Sequence, residues 1–332
     1  MNIIIPMAGL GKRLRPHTLT TPKPLIPVFG KPIVYHLVEE LIKVSNTKIQ
    51  TIGFIVGRFG VEVEKELISI ANQFGARGKI FYQDEALGTA HAVNCASELL
   101  HGPVIVAFAD TLFKADFIID DQTECKIWVK KVNNPESFGV VTLSNKGLIN
   151  GFMEKPSSFV SNLAIIGIYY FRDAELLLKE IAKIIQSNFK VNNEFQLTDA
   201  LQNMLENGTQ FQTGEVEHWL DCGNELATID TNKQLLVLNR TNILEENIQI
   251  LNSVIIEPCF IGKNTIIENS VVGPFVSVGK NNKIKSSVIE NSLIQNGNLI
   301  ENANLNTCMI GSNSKLCYKP LLLSIGDFNK FE

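Results

Sequence analysis

The last third of the chain carries a short repeat that restricts its fold more than any other feature. Six apolar residues recur at intervals of six, namely Val254, Phe260, Ile266, Val272, Val278 and Ile284. The triplet Asn-Ser-Val at 252–254 returns at 269–271, and Ser-Ser-Val at 286–288 follows after the same step of 17 residues. One apolar residue per short unit, with small polar residues between, is typical of a β-solenoid. We therefore expect these six side chains to face the solenoid interior.

The earlier part of the chain alternates between apolar runs and helical patterns. Predicted strands are 3–7, 51–57, 79–83, 104–109, 127–132, 140–143, 148–153, 165–171 and 211–216. Predicted helices are 32–44, 61–74, 88–100, 174–185, 196–205 and 225–238. Continuously apolar strands that alternate with helices indicate a mostly parallel α/β sheet covered on both faces. Ligands of such sheets lie at the carboxyl ends of the strands.

A basic, glycine-bearing loop follows the first predicted strand. Gly9 and Gly11 let the backbone turn tightly, and Arg13, Arg15 and Lys23 bring positive charge to the same loop. The loop lacks the spacing of a P-loop, and it is not a dinucleotide fingerprint because position 14 is leucine. These residues predict a phosphate-binding loop of another kind.

The loop resembles that of the sugar-1-phosphate nucleotidylyltransferases, and the resemblance covers residues 1–225. It rests on Gly9-x-Gly11-x-Arg13, Pro16-x-Thr18, Pro22-Lys23-Pro24-Leu25 and Gly30-Lys31-Pro32. The C-terminal repeat resembles the hexapeptide left-handed β-helix. Together they imply a Rossmann-like, GT-A-like, mostly parallel sheet followed by a left-handed parallel β-helix. The predicted boundaries are a catalytic domain 1–225, a helical linker 226–245, a β-helix 246–320 and a tail 321–332.

The resemblance implies a role for each matching residue. Arg13 and Lys23 would be catalytic, holding the triphosphate, while Asp110 and Asp221 (in Trp219-x-Asp221-x-Gly223) would bind Mg²⁺. Nucleotide-binding residues would be Ala8, Gly9, Gly11, Gln83, Gly88 and Thr89. Residues that bind the sugar phosphate would be Gly139, Glu154, Lys155 and Asn162, with Glu194 and Asp199 near the sugar. A glutamine amide both donates and accepts, so Gln83 can read a pyrimidine edge. His91 is interpreted as a helix-face residue, not a catalyst.

The activity implied is transfer of a nucleotidyl group from dTTP or UTP to a sugar 1-phosphate, with glucose 1-phosphate favoured, releasing pyrophosphate. The form Ala8-Gly9-Leu10-Gly11 and the Gly-Thr-Ala-His segment favour UTP, whereas Pro22–Leu25 favours dTTP. GDP-mannose and UDP-N-acetylglucosamine pyrophosphorylases remain alternatives, as does a non-catalytic regulatory subunit. Acyl transfer by the solenoid is disfavoured, because the last histidine of the chain is His218.

The amino-acid composition limits the classes of partner and the compartment that we expect for this protein. A net charge of −4 argues against non-specific nucleic-acid binding, which needs a basic face. Six cysteines without a C-x-x-C pair fit a reducing compartment, and there is no apolar run of membrane-spanning length. We expect a cytoplasmic homo-oligomer, assembled through the β-helix, that acts on an NTP and a sugar 1-phosphate without a membrane or nucleic acid.

Overall fold

The computed structural model describes residues 1–115, 117–120, 122–239 and 243–328. The chain forms two compact units. Unit 1 consists of Met1–Ile26 and Pro32–Gly223, and unit 2 consists of Pro27–Lys31 and Asn224–Glu332. Residues 240–242 of the predicted linker and 329–332 of the predicted tail lie outside the described residues. The finer boundaries at 225, 245 and 320 stay predictions.

Within the described ranges, the α-helices agree with the sequence patterns apart from their ends. They are α1 (Ile33–Val44), α2 (Val61–Gln73), α3 (Thr89–Cys95), α4 (Ala174–Gln186), α5 (Leu197–Glu206) and α6 (Glu225–Asn239). The prediction that the third helix reaches residue 100 is wrong, because α3 ends at Cys95 and a 3-10 turn, Ser97–Leu99, follows. The apolar spacing suggested one long helix because α3 and the 3-10 turn both bury their apolar side chains.

Unit 1 is built on a nine-stranded sheet. The strands before residue 223 are β1 (Asn2–Pro6), β2 (Pro27–Val28), β3 (Lys31–Pro32), β4 (Thr51–Val56), β5 (Arg77–Tyr82), β6 (Val104–Ala107), β7 (Thr111–Lys114), β8 (Cys125–Lys131), β9 (Gly139–Leu143), β10 (Ile149–Glu154), β11 (Leu163–Phe171), β12 (Phe211–Glu215) and β13 (His218–Asp221). The sheet path is β10-β9-β11-β6-β1-β4-β5, with β8 between β11 and β12.

The centre of this sheet is parallel, because β1 pairs in parallel with both β4 and β6, and β4 with β5. Strand β11 runs antiparallel to β6 and adds the mixed half. The apolar run Ile3–Ile5 is completely buried, as expected for a strand covered on both faces. The parallel arrangement brings the ends of β1, β5 and β6 to one edge of the sheet, where the glycine loop begins.

Unit 2 is a parallel β-helix. Its strands are β14 (Ile243–Leu244), β15 (Gln249–Leu251), β16 (Val254–Ile255), β17 (Cys259–Ile261), β18 (Ile266–Glu268), β19 (Val271–Val272), β20 (Val276–Val278), β21 (Lys283–Lys285), β22 (Val288–Glu290), β23 (Leu293–Ile294), β24 (Leu299–Glu301), β25 (Asn304–Asn306), β26 (Met309–Ile310) and β27 (Lys315–Cys317). They form three parallel sheets, each taking every third strand, as in a left-handed β-helix.

The predicted register of the solenoid is wrong at its first three positions. Val254 is 56% exposed, and neither Phe260 nor Ile266 belongs to the interior cluster. The interior instead holds Ile261, Ile267, Val272, Val278, Ile284 and Ile289, at intervals of six, five, six, six and five residues. A coil of 17 residues cannot keep a strict period of six in phase. The predicted positions from Val272 onward are confirmed as buried.

Asparagine turns the corners between the three sheets. Asn247, Asn264 and Asn281 stand one coil apart and have φ of 58°, 58° and 59°. Among residues with a side chain, asparagine adopts this left-handed conformation most readily. The Asn247 amide donates to Asn264 Oδ1 at 3.3 Å, and the Asn264 amide donates to Asn281 Oδ1 at 3.1 Å. The asparagine-rich composition of this region is therefore a requirement of the coil.

Helix α6 and a hairpin from the N-terminal region cover one outer face of this β-helix. In the hairpin, the Phe29 amide donates to Asn232 Oδ1 of α6 at 2.9 Å. The Ser277 hydroxyl of β20 donates to the same oxygen at 2.6 Å. Gly30 has φ +74° and lies against the ring of Phe260, where a Cβ would come within 2.2 Å of the ring. Only glycine fits there.

In the described residues, no helix has the length and apolarity that a membrane span requires.

Replacing Ile284 by alanine is expected to weaken the solenoid selectively. Its side chain is completely buried in the interior, and such a truncation costs about 2–5 kcal/mol in transfer and cavity terms. Hydrogen exchange of the β18, β21 and β24 amides should become faster by the factor that corresponds to this loss of free energy of unfolding. Lys283→Ala, at the exposed neighbouring position of the same strand, is the control and should leave exchange unchanged. Equal exchange in the two variants would contradict the assigned register.

Candidate active site

The glycine loop closes on itself beside Lys23. Gly11 has φ +58°, and the Thr18 hydroxyl donates to its carbonyl at 2.9 Å. A Cβ on Gly11 would come within 3.0 Å of Lys23 Cβ. The signature Gly9-x-Gly11 and Pro22-Lys23-Pro24 therefore belong to one folded loop, in which the glycine allows the lysine stem to pass.

Lys23 is a buried cation that faces an exposed carboxylate. Its side chain is 10% exposed, and its Nζ lies 3.5 Å from Asp110 Oδ2, on a side chain that is 53% exposed. Lys23 opens a 3-10 turn, Lys23–Leu25, and Asp110 follows β6. A buried ammonium needs a counter-charge, and the loop and the sheet edge together provide one.

Asp110 and Asp221 are neighbours through an antiparallel strand pair. Strand β7 begins directly after Asp110, and its Thr111 lies opposite Asp221 of β13. The Cys222 amide donates to the Asp110 carbonyl at 3.4 Å, and the Gly223 amide donates to Asp221 Oδ1 at 2.8 Å. The two acids, 111 residues apart in sequence, therefore stand on adjacent chain segments.

The guanidinium of Arg13 lies near Gly223, close to the Asp221 carboxylate. A Cβ added to Gly223 would lie 2.9 Å from Asp221 Oδ1 and 3.4 Å from Arg13 Nη2. The guanidinium and the Asp221 carboxylate therefore share the surroundings of Gly223. The absence of a side chain at Gly223 leaves room for both groups.

A single cavity of about 420 Å³ collects most of the predicted site. The predicted residues that line it are Ala8, Gly9, Gly11, Arg13, Lys23, Gln83, Gly88, Thr89 and Asp110. Phe108, Glu194 and Gly223 complete part of the wall. Gly88 has φ +107°, and a Cβ there would meet the Phe195 carbonyl at 2.5 Å, so the close approach of these two segments requires glycine.

Three of the predicted sugar-phosphate residues form a second cluster. Glu154 of β10 lies opposite Gly139 of β9, and the Lys155 amide donates to the Phe138 carbonyl at 3.1 Å. The Thr198 hydroxyl of α5 donates to Glu154 Oε2 at 3.3 Å. These residues are not in the wall of the 420 Å³ cavity as the described residues define it. Asn162 stands apart and exposed before β11, with its carbonyl accepting from the Val132 amide.

Tyr169 of β11 is subject to the charge of a carboxylate from each of the two groups. Burial raises the pKa of its hydroxyl, and the carboxylates of Glu154 and Asp110 raise it further. Its ring also meets the ring of Phe108, a wall residue, edge-on at 6.1 Å. Glu154 and Asp110 therefore both influence this phenol, whose ring packs against the cavity wall.

The model of the Nucleotidyl transferase family matches residues 2–237 of this chain. The chain belongs to this family. The match includes the glycine loop, Asp110, the Glu154 cluster and Asp221, so every predicted site residue lies in the shared region.

Relatives and one solved structure agree with this membership. A bifunctional protein GlmU from Methanococcus vannielii is 32% identical over 268 residues, covering 77% of this chain but only 61% of that protein. A glucose-1-phosphate thymidylyltransferase from Streptomyces griseus is 27% identical over 322 residues, covering 90% of this chain and 88% of that protein. A Bacillus anthracis structure assigned as a glucose-1-phosphate thymidylyltransferase, solved with sucrose, has a TM-score of 0.61 and 26% identity, and covers 74% of this chain and 98% of its own.

Sequence reasoning missed two residues that the structure brings to the site, Phe108 and Thr198. Phe108 directly follows β6, and that position alone could have indicated it. Thr198 lies in the Glu194–Asp199 segment, but its hydrogen bond to Glu154 spans 44 residues. Tyr169 lies inside a buried strand, in the run Gly167-Ile168-Tyr169-Tyr170, which loosely resembles a sugar-contacting strand of the family. The sequence gives no sign that this phenol is near both acids.

Glu154 is expected to cost stability at neutral pH. Burial raises the pKa of its carboxyl, against the opposing effects of Lys155 and the Thr198 hydroxyl. An acid whose pKa is higher in the folded state stabilises the fold at low pH and loses that contribution as the pH rises through the folded pKa. Glu154→Gln should therefore raise the thermal midpoint at pH 7.5, by about 2–4 °C for each kcal/mol recovered in a domain of this size.

The advantage of Glu154→Gln should vanish near pH 4, where the wild-type carboxyl is protonated as well. Glu206→Gln, at an exposed position of α5, is the control and should move neither midpoint. Scanning calorimetry at both pH values makes the comparison. A lower midpoint for Glu154→Gln at pH 7.5 would contradict the burial argument.

Proposed function

We propose that this chain transfers a nucleotidyl group from dTTP or UTP to a sugar 1-phosphate, giving an NDP-sugar and pyrophosphate. The observation that carries the proposal is one cavity that holds the glycine loop, Arg13, Lys23 and Asp110 together, with Asp221 on the adjacent segment. Membership of the nucleotidyl transferase family supports it. The thymidylyltransferase relative, matched over most of both chains, favours glucose 1-phosphate as the acceptor.

The chain's own residues would neutralise and align two anionic substrates. A phosphate oxygen of the sugar 1-phosphate attacks the α-phosphorus, and the bond to the bridging oxygen of the β-phosphate breaks as pyrophosphate leaves. Lys23 and Arg13 would balance the negative charge that moves onto the leaving group. The amides around Gly9 and Gly11 would hold the phosphates, and a Cβ on Gly9 would meet nothing within 4 Å, which leaves that side open.

The acids fit a hard divalent ion. The described residues contain no group of three histidine, cysteine, aspartate or glutamate side chains placed to hold a metal. Two adjacent carboxylates with the remaining positions left to phosphates and water are the arrangement that Mg²⁺ uses with nucleotides. Asp110 and Asp221 would hold it. The ion would supply charge neutralisation at the phosphate oxygens.

The second cluster would bind the acceptor. Glu154 would accept hydrogen bonds from sugar hydroxyls, and Lys155, with its Nζ 3.8 Å from Glu154 Oε1, would meet the phosphate. The side chain of Lys155 is 55% exposed, so it is free to turn towards an anion. The Gly139 backbone would line this part of the site. Asn162, exposed at the start of β11, stays a prediction as a sugar-phosphate residue.

A pyrophosphate-release screen tests the proposal directly. The full chain is assayed with five nucleoside triphosphates against glucose, mannose, galactose and N-acetylglucosamine 1-phosphates, with Mg²⁺. We expect the highest kcat/KM with dTTP or UTP and glucose 1-phosphate. Preference for GTP with mannose 1-phosphate, or UTP with N-acetylglucosamine 1-phosphate, would replace the substrate assignment. If no pair of substrates gives pyrophosphate release, the result would favour the alternative that the chain is a non-catalytic regulatory subunit.

Asp110→Asn and Asp221→Asn are each expected to reduce kcat by about 10²-fold or more, because each removes one charge from the ion site. The dependence of rate on Mg²⁺ concentration should shift to higher concentrations in both variants. Asp230→Asn, on the exposed side of α6, is the matched control and should retain full activity. Unchanged rates in both site variants would contradict the metal assignment.

We also propose that the chain assembles with copies of itself through one face of the β-helix. Val254, Val271 and Val288 stand in register on the outer side of one sheet, and Val254 and Val288 are 56% and 48% exposed. The outer side of another sheet is charged, with Lys285 paired to Glu268 at 3.2 Å. An uncharged ladder of identical side chains suits a second copy, because symmetric homo-oligomers bury the same patch on each subunit.

Val288→Asp is expected to break this assembly. Light scattering should give a multiple of 36.8 kDa for the wild type and a smaller mass for the variant. Lys283→Asp, which places the same carboxylate on the charged face, should keep the wild-type mass. A wild type that is only monomeric at 36.8 kDa would contradict the proposed assembly.

The cysteines support a cytoplasmic location for this reaction. None of the six, all at described positions, is joined in a disulfide, and three of them, Cys125, Cys222 and Cys259, are deeply buried. Burial raises the pKa of Cys125 to about 12 and that of Cys259 to about 11, which keeps both protonated and unreactive. Buried thiols that form no disulfide fit a reducing compartment.

A further inference from the structure

The side-chain amide of Gln83 is held in one orientation by two acceptors. Its Nε2 lies 3.1 Å from the Gly88 carbonyl oxygen and 3.2 Å from His91 Nδ1. A backbone carbonyl can only accept, so the group facing it must be the NH₂ of the amide. Among the described residues, Gln83 Oε1 has no hydrogen-bond donor. Since Gln83 lines the cavity, the group that it leaves for a ligand is an acceptor.

This arrangement dictates the protonation of His91. Because the same NH₂ points at Nδ1, that nitrogen must carry a lone pair, and the ring proton must reside on Nε2. Burial lowers the pKa of His91, and Lys190 lowers it further, while Glu85 raises it. The neutral ring is therefore the stable form near neutral pH. A proton on Nδ1 would set two donors against each other and release the amide.

Helix α3 does not depend on the imidazole for its position. The Ala90 amide donates to the Phe195 carbonyl at 2.9 Å, and the Leu197 amide donates to the Thr89 hydroxyl at 2.9 Å. Gly88 also packs directly on the Phe195 backbone. These contacts hold the start of the helix in place without the His91 ring. In the described structure, the polar contact of that ring is the side-chain amide of Gln83.

We propose that His91 is a positioning residue for base selection: by accepting from Gln83, it aims Oε1 at the base and restricts the site to bases that present an N–H there. Uracil and thymine meet this requirement with N3–H, whereas cytosine presents a lone pair at N3. This inference rests on the proposed nucleotidyl transfer and deepens it. A site built around a required hydrogen bond discriminates strongly, because the wrong partner leaves a buried polar group unpaired.

The test compares kcat/KM for UTP with that for CTP in the full chain, with Mg²⁺ and the sugar 1-phosphate that gives the highest rate. The variants are His91→Leu, which removes the acceptor, and His91→Asn, whose Oδ1 can take the place of Nδ1. We expect the UTP-to-CTP ratio to fall about tenfold in His91→Leu, the worth of one hydrogen bond to a buried amide. His91→Asn should keep the wild-type ratio.

The pH dependence of the UTP-to-CTP ratio is a second measurement. A purely structural role of His91 would not change this ratio at acid pH. As the pH falls and the ring charges, the wild-type ratio should decrease, while that of His91→Asn should stay constant. This comparison also serves if His91→Leu fails to fold by circular dichroism. Glu85 and Lys190, the charged groups that act on the ring, are the same in both proteins.

The outcomes separate the two proposals. Turnover with an unchanged ratio in His91→Leu, or a pH-independent ratio in the wild type, overturns the role of His91 and leaves nucleotidyl transfer standing. A lowered ratio in His91→Leu with rescue by His91→Asn supports it. Absence of turnover with every nucleotide and sugar phosphate overturns both.

Discussion

The ion pair between Lys23 and Asp110 is the contact on which the site depends. A nearly buried ammonium loses several kcal/mol of hydration, and without an anion beside it the loop would have to open. Asp110 supplies that anion from the segment after β6, so the loop is stabilised where it meets the sheet edge. In the proposed reaction the triphosphate takes over as the counter-charge of Lys23, and Asp110 becomes available to a metal ion.

Much of this was accessible from the sequence because the contacts are local or follow from the strand order. The glycine loop, Lys23 and the buried strands obey short-range rules of conformation and burial. Asp110 could be placed because parallel strands end at one edge. Asp221 could be associated with it only through the family resemblance, since nothing in the residues themselves predicts that β7 and β13 would pair.

Other features depend on packing that a linear pattern does not encode. The 17-residue coil was visible in the triplets, yet the interior register was not, because outward Val254, Phe260 and Ile266 are as apolar as inward ones. Phe260 is apolar for a different reason, since the N-terminal hairpin covers it. The Glu154–Thr198 hydrogen bond and the location of Tyr169 likewise depend on how distant strands and helices come together, and neither follows from spacing.

The hairpin at 27–31 has a consequence for how the protein could be divided or recombined. The chain leaves unit 1 after Ile26, contributes five residues to unit 2, and returns at Pro32. Phe29 and Gly30 contact Phe260 and Asn232, so they lose these contacts once residues after 223 are removed. A single cut therefore does not yield two intact modules. Replacing the solenoid of this chain would require moving a short N-terminal insert together with the C-terminal coils.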